Sequence, residues 1–256
     1  MHVSATIETR RLGFWIALHL LAWGVGPALA AESIPVVGCP SDGQTGPVDA
    51  PAASSDSVNL EPRIAARLAY YRAAEGPRVL APRGWHCRMW DGSWGSELVV
   101  APVVLQPGSS PKIAGPGIAL TVLNGGTSGR FAVATYMEHL FPGEAQEFVS
   151  QVKGEMTELH VEESWNERSY ASDTYRHVSP MFVEFKTPGA HDGVGTAGTL
   201  AKSDQPVSGV VILDDPDDEP YITVLRVRLP RELGALEATI LSPVPRAQQS
   251  TVDRQE

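Results

Sequence analysis

The longest apolar run in the chain lies near its start, from Leu12 to Val25 through Phe14, Trp15, Ile16, Leu18, Leu20, Leu21 and Trp23. Arg10 and Arg11 precede it, Gly24, Gly26 and Pro27 close it, and Ala28-Leu29-Ala30 follows. Charged, apolar and small-residue zones in that order predict a secretory signal, with cleavage after Ala30 and a mature start at Ala31. A membrane anchor needs about 20 apolar residues, more than this run supplies. Leu12-Gly13-Phe14 fits a twin-arginine signal poorly, so general secretion is expected. Val36-Val37-Gly38-Cys39 also resembles the end of a lipoprotein signal. Glu32 and Pro35 separate it from the apolar run, which leaves lipidation at Cys39 as the lesser alternative.

From Ala31 to Asn59 the chain is rich in Pro, Gly, Ser and Asp with few large apolar side chains, and reads as an extended arm with turns. Ile64, Leu68 and Tyr71 then fall on one helical face opposite Arg63 and Arg67, which predicts a helix from Pro62 that Gly76-Pro77 stops. Helices are also expected over Arg130–Phe141, where Phe131, Val133 and Thr135 alternate as in a strand, over Glu144–Met156, and over Leu233–Leu241. The second has Ala145, Phe148, Val149, Val152 and Met156 opposite Glu144, Glu147, Gln151 and Glu155. Strands are predicted at Val79–Ala81, Trp85–Trp90, Glu97–Ala101, Ile118–Leu123, Val178–Lys186, Val207–Leu213 and Tyr221–Leu229. The second and third of these form a hairpin across Asp91-Gly92-Ser93-Trp94-Gly95. Pro102–Pro116 reads as a surface excursion and residues 157–176 as a long loop. Strands and helices without a βαβ rhythm predict an α+β fold: one domain, a largely antiparallel sheet with three to four helices packed on it, and an extended amino-terminal arm. The expected organisation is a signal at 1–30, the arm at 31–59, the domain at 60–243 and a disordered tail at 244–256.

Charge and cysteine content restrict the chemistry. The chain carries 20 basic and 30 acidic side chains, and loss of residues 1–30 removes Arg10, Arg11 and Glu8. The cations are scattered singly, and a nucleic-acid partner would need them concentrated in a stripe. No other segment is apolar enough to cross a membrane. The two cysteines, Cys39 and Cys87, read as one disulfide in an oxidising compartment, tying the arm to the domain. A catalytic role for Cys87 with His86 is disfavoured, because neighbours on a strand point to opposite faces.

Several segments look familiar together: Val37 to Gln44, Val79 to Cys87, Thr127 to Arg130, Val183 to Pro188 and Val227 to Pro230. They resemble a family of exported bacterial proteins of unknown function, over nearly the whole mature chain and most specifically at Gly84-Trp85-His86-Cys87. The resemblance implies an extracytoplasmic address and a single domain, and brings no reaction.

The strongest local site in the sequence is Asn124 to Arg130. Small residues between a strand and a helix start can aim backbone N–H groups at an anion, with Ser128 as N-cap and Arg130 supplying charge. Thr127, Ser128, Gly129 and Arg130 are therefore the candidate binding residues for a phosphate, sulfate or carboxylate, set against a plain tight turn. A hydrolase would pair Ser128 and Arg130 with a distant histidine, His139 or His177, although no Gly-x-Ser-x-Gly elbow exists. Gly193-Val194-Gly195-Thr196-Ala197-Gly198 matches the dinucleotide fingerprint in letters but lacks its strand, helix and acidic residue, and reads as a flexible glycine loop. Ser109-x-x-Lys112 and Ser150-x-x-Lys153 match a penicillin-enzyme pattern without its other motifs. The histidines His139, His160, His177 and His191 are too dispersed for zinc, and the acidic turn Asp214 to Glu219 lacks EF-hand spacing. No metal or cofactor is expected. Trp85, Trp90 and Trp94 crowd one hairpin, with Trp85 packing at the disulfide and Trp94 the exposed ring. The reading is an exported envelope protein, a binding or structural module before an enzyme, with a small anionic ligand or envelope component as partner.

Overall fold

The computed structural model describes residues 31–44, 46–144, 146–160, 170–214 and 219–242. The expected signal, the tail from residue 244 and Asp215 to Asp218 of the acidic turn lie outside them. The arm is extended, and it supplies three strands: β1 (Glu32–Gly38), β2 (Ser41–Gly43) and β3 (Ser54–Val58). After α1 (Pro62–Ala65) come β4 (Leu68–Arg72), β5 (Arg78–Pro82), β6 (His86–Gly92), β7 (Gly95–Ala101) and β8 (Gly117–Asn124). Helices α2 (Arg130–Leu140) and α3 (Gln146–Glu158) precede β9 (Thr174–Ser179), β10 (Phe182–Thr187), β11 (Val207–Asp214), β12 (Tyr221–Arg228) and α4 (Glu237–Leu241).

The strands form a four-stranded sheet in the order β3-β1-β4-β5 and an eight-stranded sheet in the order β2-β6-β7-β8-β12-β11-β10-β9. Pairing is antiparallel except at β1–β4 and β2–β6, so the α+β class with a largely antiparallel sheet is the observed one. The central strands β7, β8 and β12 are almost fully buried, because both faces of the large sheet are covered. On one face α2 and α3 pack Val133, Met137, Leu140, Val152 and Met156 onto Leu123, Val183, Val211 and Ile222. On the other, Leu68, Tyr71, Val79 and Ala81 of the small sheet, with Leu236 and Ile240, pack onto Leu98, Val100, Ile118, Leu120, Leu225 and Val227.

Three elements differ from the reading of periodicity. The expected helix from Pro62 is four residues long and gives way to strand β4. Leu68, Ala69, Tyr70 and Tyr71 are all buried, between β1 and β5 in the sheet, and a strand covered on both sides leaves no polar face to set a period. The single strand expected over Val178–Lys186 is a hairpin, β9 and β10, turning at Pro180 and Met181, with the Ser179 hydroxyl accepting the Met181 N–H at 3.3 Å. The carboxy-terminal helix begins as a 3₁₀ turn over Arg231–Leu236 before α4. The hairpin between β6 and β7 closes as expected, pairing Gly92 with Gly95. Gly95 has φ of +134° there, and a Cβ would stand 2.0 Å from the Val122 carbonyl oxygen.

Candidate ligand-binding site

The loop before α2 is held by its neighbours. Ser128 does not cap the helix: the N-cap position is Gly129, without a side-chain cap, and the Ser128 hydroxyl lies 2.8 Å from that of Ser93. The Arg130 guanidinium is paired with Glu155 at 2.6 Å and donates to the Thr127 carbonyl at 3.3 Å. The N–H groups of Gly125, Gly126 and Arg130 donate to Pro220 O, Asn124 Oδ1 and Thr127 O. The Glu219 carboxylate lies 3.0 Å from where a Cβ on Gly126 would be. An anion here would meet that carboxylate and compete with Glu155 for the arginine. Nor are Ser128 and Arg130 joined by a histidine: His139 is most of a helix from Arg130, roughly 14 Å along its axis, and His177 sits on the exposed edge strand β9.

Beside that loop, on the other side of the Ser93-Trp94 turn, an open cavity of about 370 Å3 is lined by Asp42, Gly43, Trp90, Asp91, Trp94, Gly108 and Ser110. Three stretches distant in sequence meet there. The parallel pairing of β2 with β6 sets Asp42 beside Trp90 and Gly43 beside Asp91. Strand β6 also ties down the 102–116 loop that forms the far wall, through Arg88 Nε to Leu105 O at 3.2 Å and Trp90 Nε1 to Gly108 O at 2.5 Å. Asp42 Oδ2 accepts the Gly108 N–H at 2.6 Å. A Cβ on Gly43 would stand 2.2 Å from each Asp91 oxygen and 2.3 Å from their carbon, so the carboxylate packs directly against the glycine and a side chain there would displace it. The Asp91 carboxylate and the Trp94 indole N–H make no hydrogen bond among the described residues. Trp94, expected as the exposed ring of its turn, is half-buried against the helix-side core. A larger hollow of about 570 Å3 lies within the 102–116 loop. Among the described residues its walls belong to that one loop, and its one charged side chain, Lys112, already donates to the Gly198 carbonyl at 2.7 Å.

Behind Ser110 runs a buried polar network that periodicity does not announce. Glu97, paired with Thr121 across β7 and β8, is 7 % exposed. Its carboxylate accepts from Thr199 Oγ1 at 2.5 Å, Ser110 Oγ at 3.2 Å and Thr121 Oγ1 at 3.3 Å. Arg226, 3 % exposed, donates to Thr121 Oγ1, Tyr136 OH and the Val194 carbonyl at 2.8 to 2.9 Å. Thr121 thus bridges a carboxylate and a guanidinium that would each be costly to bury alone. Arg228, fully buried, holds the carbonyls of Ile113, Ala114, Gly115 and Ala201, and burial lowers its pKa from the ordinary value. The sequence does carry a signal for these groups: Arg226 and Arg228 continue the strand face of Ile222 and Val224, on positions that face the core.

The glycine-rich stretch from Gly193 is packed rather than flexible. Its N–H groups at Gly193, Val194 and Gly195 donate to Thr196 Oγ1, Asp173 Oδ2 and Thr187 Oγ1 at 2.8 to 3.0 Å, which leaves those amides turned inward and no phosphate cradle. The lysines of the two Ser-x-x-Lys matches are likewise engaged, Lys112 by Gly198 and Lys153 by Glu138. Cys39 and Cys87 form the expected disulfide, with Trp85 and Cys87 packed at the same core. A sulfur in that bond carries no lipid thioether, and the bond suits an oxidising compartment. Among the described residues no three His, Cys, Asp or Glu side chains are grouped to hold a metal ion, and no helix is long and apolar enough to cross a membrane. No known protein family, curated protein or solved structure matches the chain.

Proposed function

We propose that this protein is an exported binding module of the cell envelope, acting outside the cytoplasm after cleavage at Ala30, and that it takes a small ligand in the Trp94 cavity. The three-zone amino terminus and the disulfide support the address. One observation carries the choice of site: the cavity offers an aromatic ring, together with an indole N–H and the Asp91 carboxylate that have no hydrogen-bond partner among the described residues, whereas Ser128 and Arg130 are bound to Ser93 and Glu155. Small-molecule sites are concave and mostly preformed, with a few polar groups aimed inward. Walls fixed by Trp90, Asp42 and Arg88 meet that description.

Tryptophan emission titrated with a panel of amines, amino acids and saccharides tests the reading. At least one compound is expected to give a saturable change that Trp94→Phe abolishes and Ser128→Ala keeps. Covalent labelling of Ser128 by a fluorophosphonate, with no saturable response to the panel, would favour the hydrolase instead.

A further inference from the structure

The charge of the cavity narrows the ligand class, and this step rests on reading the cavity as the binding site. Its lining includes Asp42 and Asp91 and, among the described residues, no Lys, Arg or His. Asp42 keeps one oxygen beyond its bond to the Gly108 N–H. Asp91 lines the cavity and makes no hydrogen bond among the described residues. Arg88 on the same strand is turned to the Leu105 carbonyl at 3.2 Å. A ligand that covers this site therefore strips water from two negative groups with no cation among the described lining residues to offset them. An anion is repelled, and a neutral ligand replaces hydrogen bonds while leaving the charge uncompensated. A cation offsets it and is also drawn to the face of a Trp ring.

The same residues serve a bare metal ion badly. Calcium takes six to eight oxygens, roughly speaking, and two carboxylates beside an aromatic ring supply few of them. A ring instead suits a cation that is weakly hydrated and carries carbon around its charge. We infer that the Trp94 cavity binds an organic ammonium ion, seated between the Trp94 ring and the carboxylates of Asp91 and Asp42, with Ser110 available to a hydroxyl on its body.

The test compares choline with its uncharged isostere 3,3-dimethylbutan-1-ol, with maltose as a neutral polyhydroxylated control, on the exported protein. The Trp94 indole N–H cross-peak is followed by NMR at constant ionic strength and assigned through Trp94→Phe. Choline is expected to shift the peak saturably, the isostere to shift it at least fivefold more weakly, and Asp91→Asn to raise the choline Kd by about fivefold or more. Equal shifts by choline and the isostere, a choline Kd unchanged in Asp91→Asn, or a saturable shift by maltose alone would overturn the cation while leaving the cavity as a binding site. No saturable shift of Trp94 by any of the three would overturn both.

Discussion

Tyr71 shows how a single side chain ties the small sheet to its neighbours. Its ring is fully buried, and its hydroxyl donates to the Pro82 carbonyl at 2.8 Å and accepts the Trp85 N–H at 3.2 Å. Burial raises its pKa above the ordinary 10.0, and burial raises that of Tyr70 as well. The folded chain therefore keeps protons that the unfolded chain releases from about pH 10 upward. Stability from these groups is fully present below that pH and is lost as pH rises through the folded values. Tyr71→Phe is expected to lose about 1–3 kcal/mol at pH 7, since the carbonyl and the amide lose their partner, and to show a smaller further loss by about pH 11. Urea unfolding at the two pH values checks this, and equal alkaline losses in wild type and variant would contradict it. Glu97 and Arg226 mark a limit of reading at this scale. Their strand positions say that they face inward, but only the approach of Ser110, Thr121, Tyr136 and the stretch carrying Val194 and Thr199, four other segments, shows that the burial is satisfied.

Elements whose two sides differ were legible. Helix α3 has one apolar face and one charged face, and the β6–β7 hairpin has its turn glycines, so each stands close to where its pattern puts it. Elements covered on both sides were not: in Leu68 to Tyr71 every position is apolar, and the chance spacing of Ile64, Leu68 and Tyr71 reads as a helix until β1 and β5 are seen beside it. The arm was legible as extended, yet its pairing with strands more than thirty residues away was not. The disulfide closes that separation, joining residues 48 apart, for which the chain-entropy estimate is about 4 kcal/mol. The paired variant Cys39→Ser with Cys87→Ser is expected to lose stability of that order in urea unfolding. Because β2 starts two residues after Cys39, the variant is also expected to weaken ligand binding at the Asp42 wall. Unchanged unfolding midpoints would show that the arm holds without the bond.

At the scale of the molecule, the fold class followed from the mixture of strands and helices, while the second sheet and the cavity did not. The cavity draws on residues 42–43, 90–94 and 108–110, which no local pattern connects. The feature that local pattern did single out, Thr127 to Arg130, lies against the same turn, where Ser128 meets Ser93 and the Trp94 carbonyl accepts the Asn124 N–H at 3.2 Å. Those residues hold the turn that carries Trp94 in place. The most direct measurement is a crystal structure of the protein with the tightest-binding compound from the panel. The predicted result is ligand density between the Trp94 ring and the Asp91 carboxylate, with the Arg130–Glu155 pair intact. Density against Thr127 to Gly129, with Arg130 released from Glu155 and the cavity empty, would contradict it.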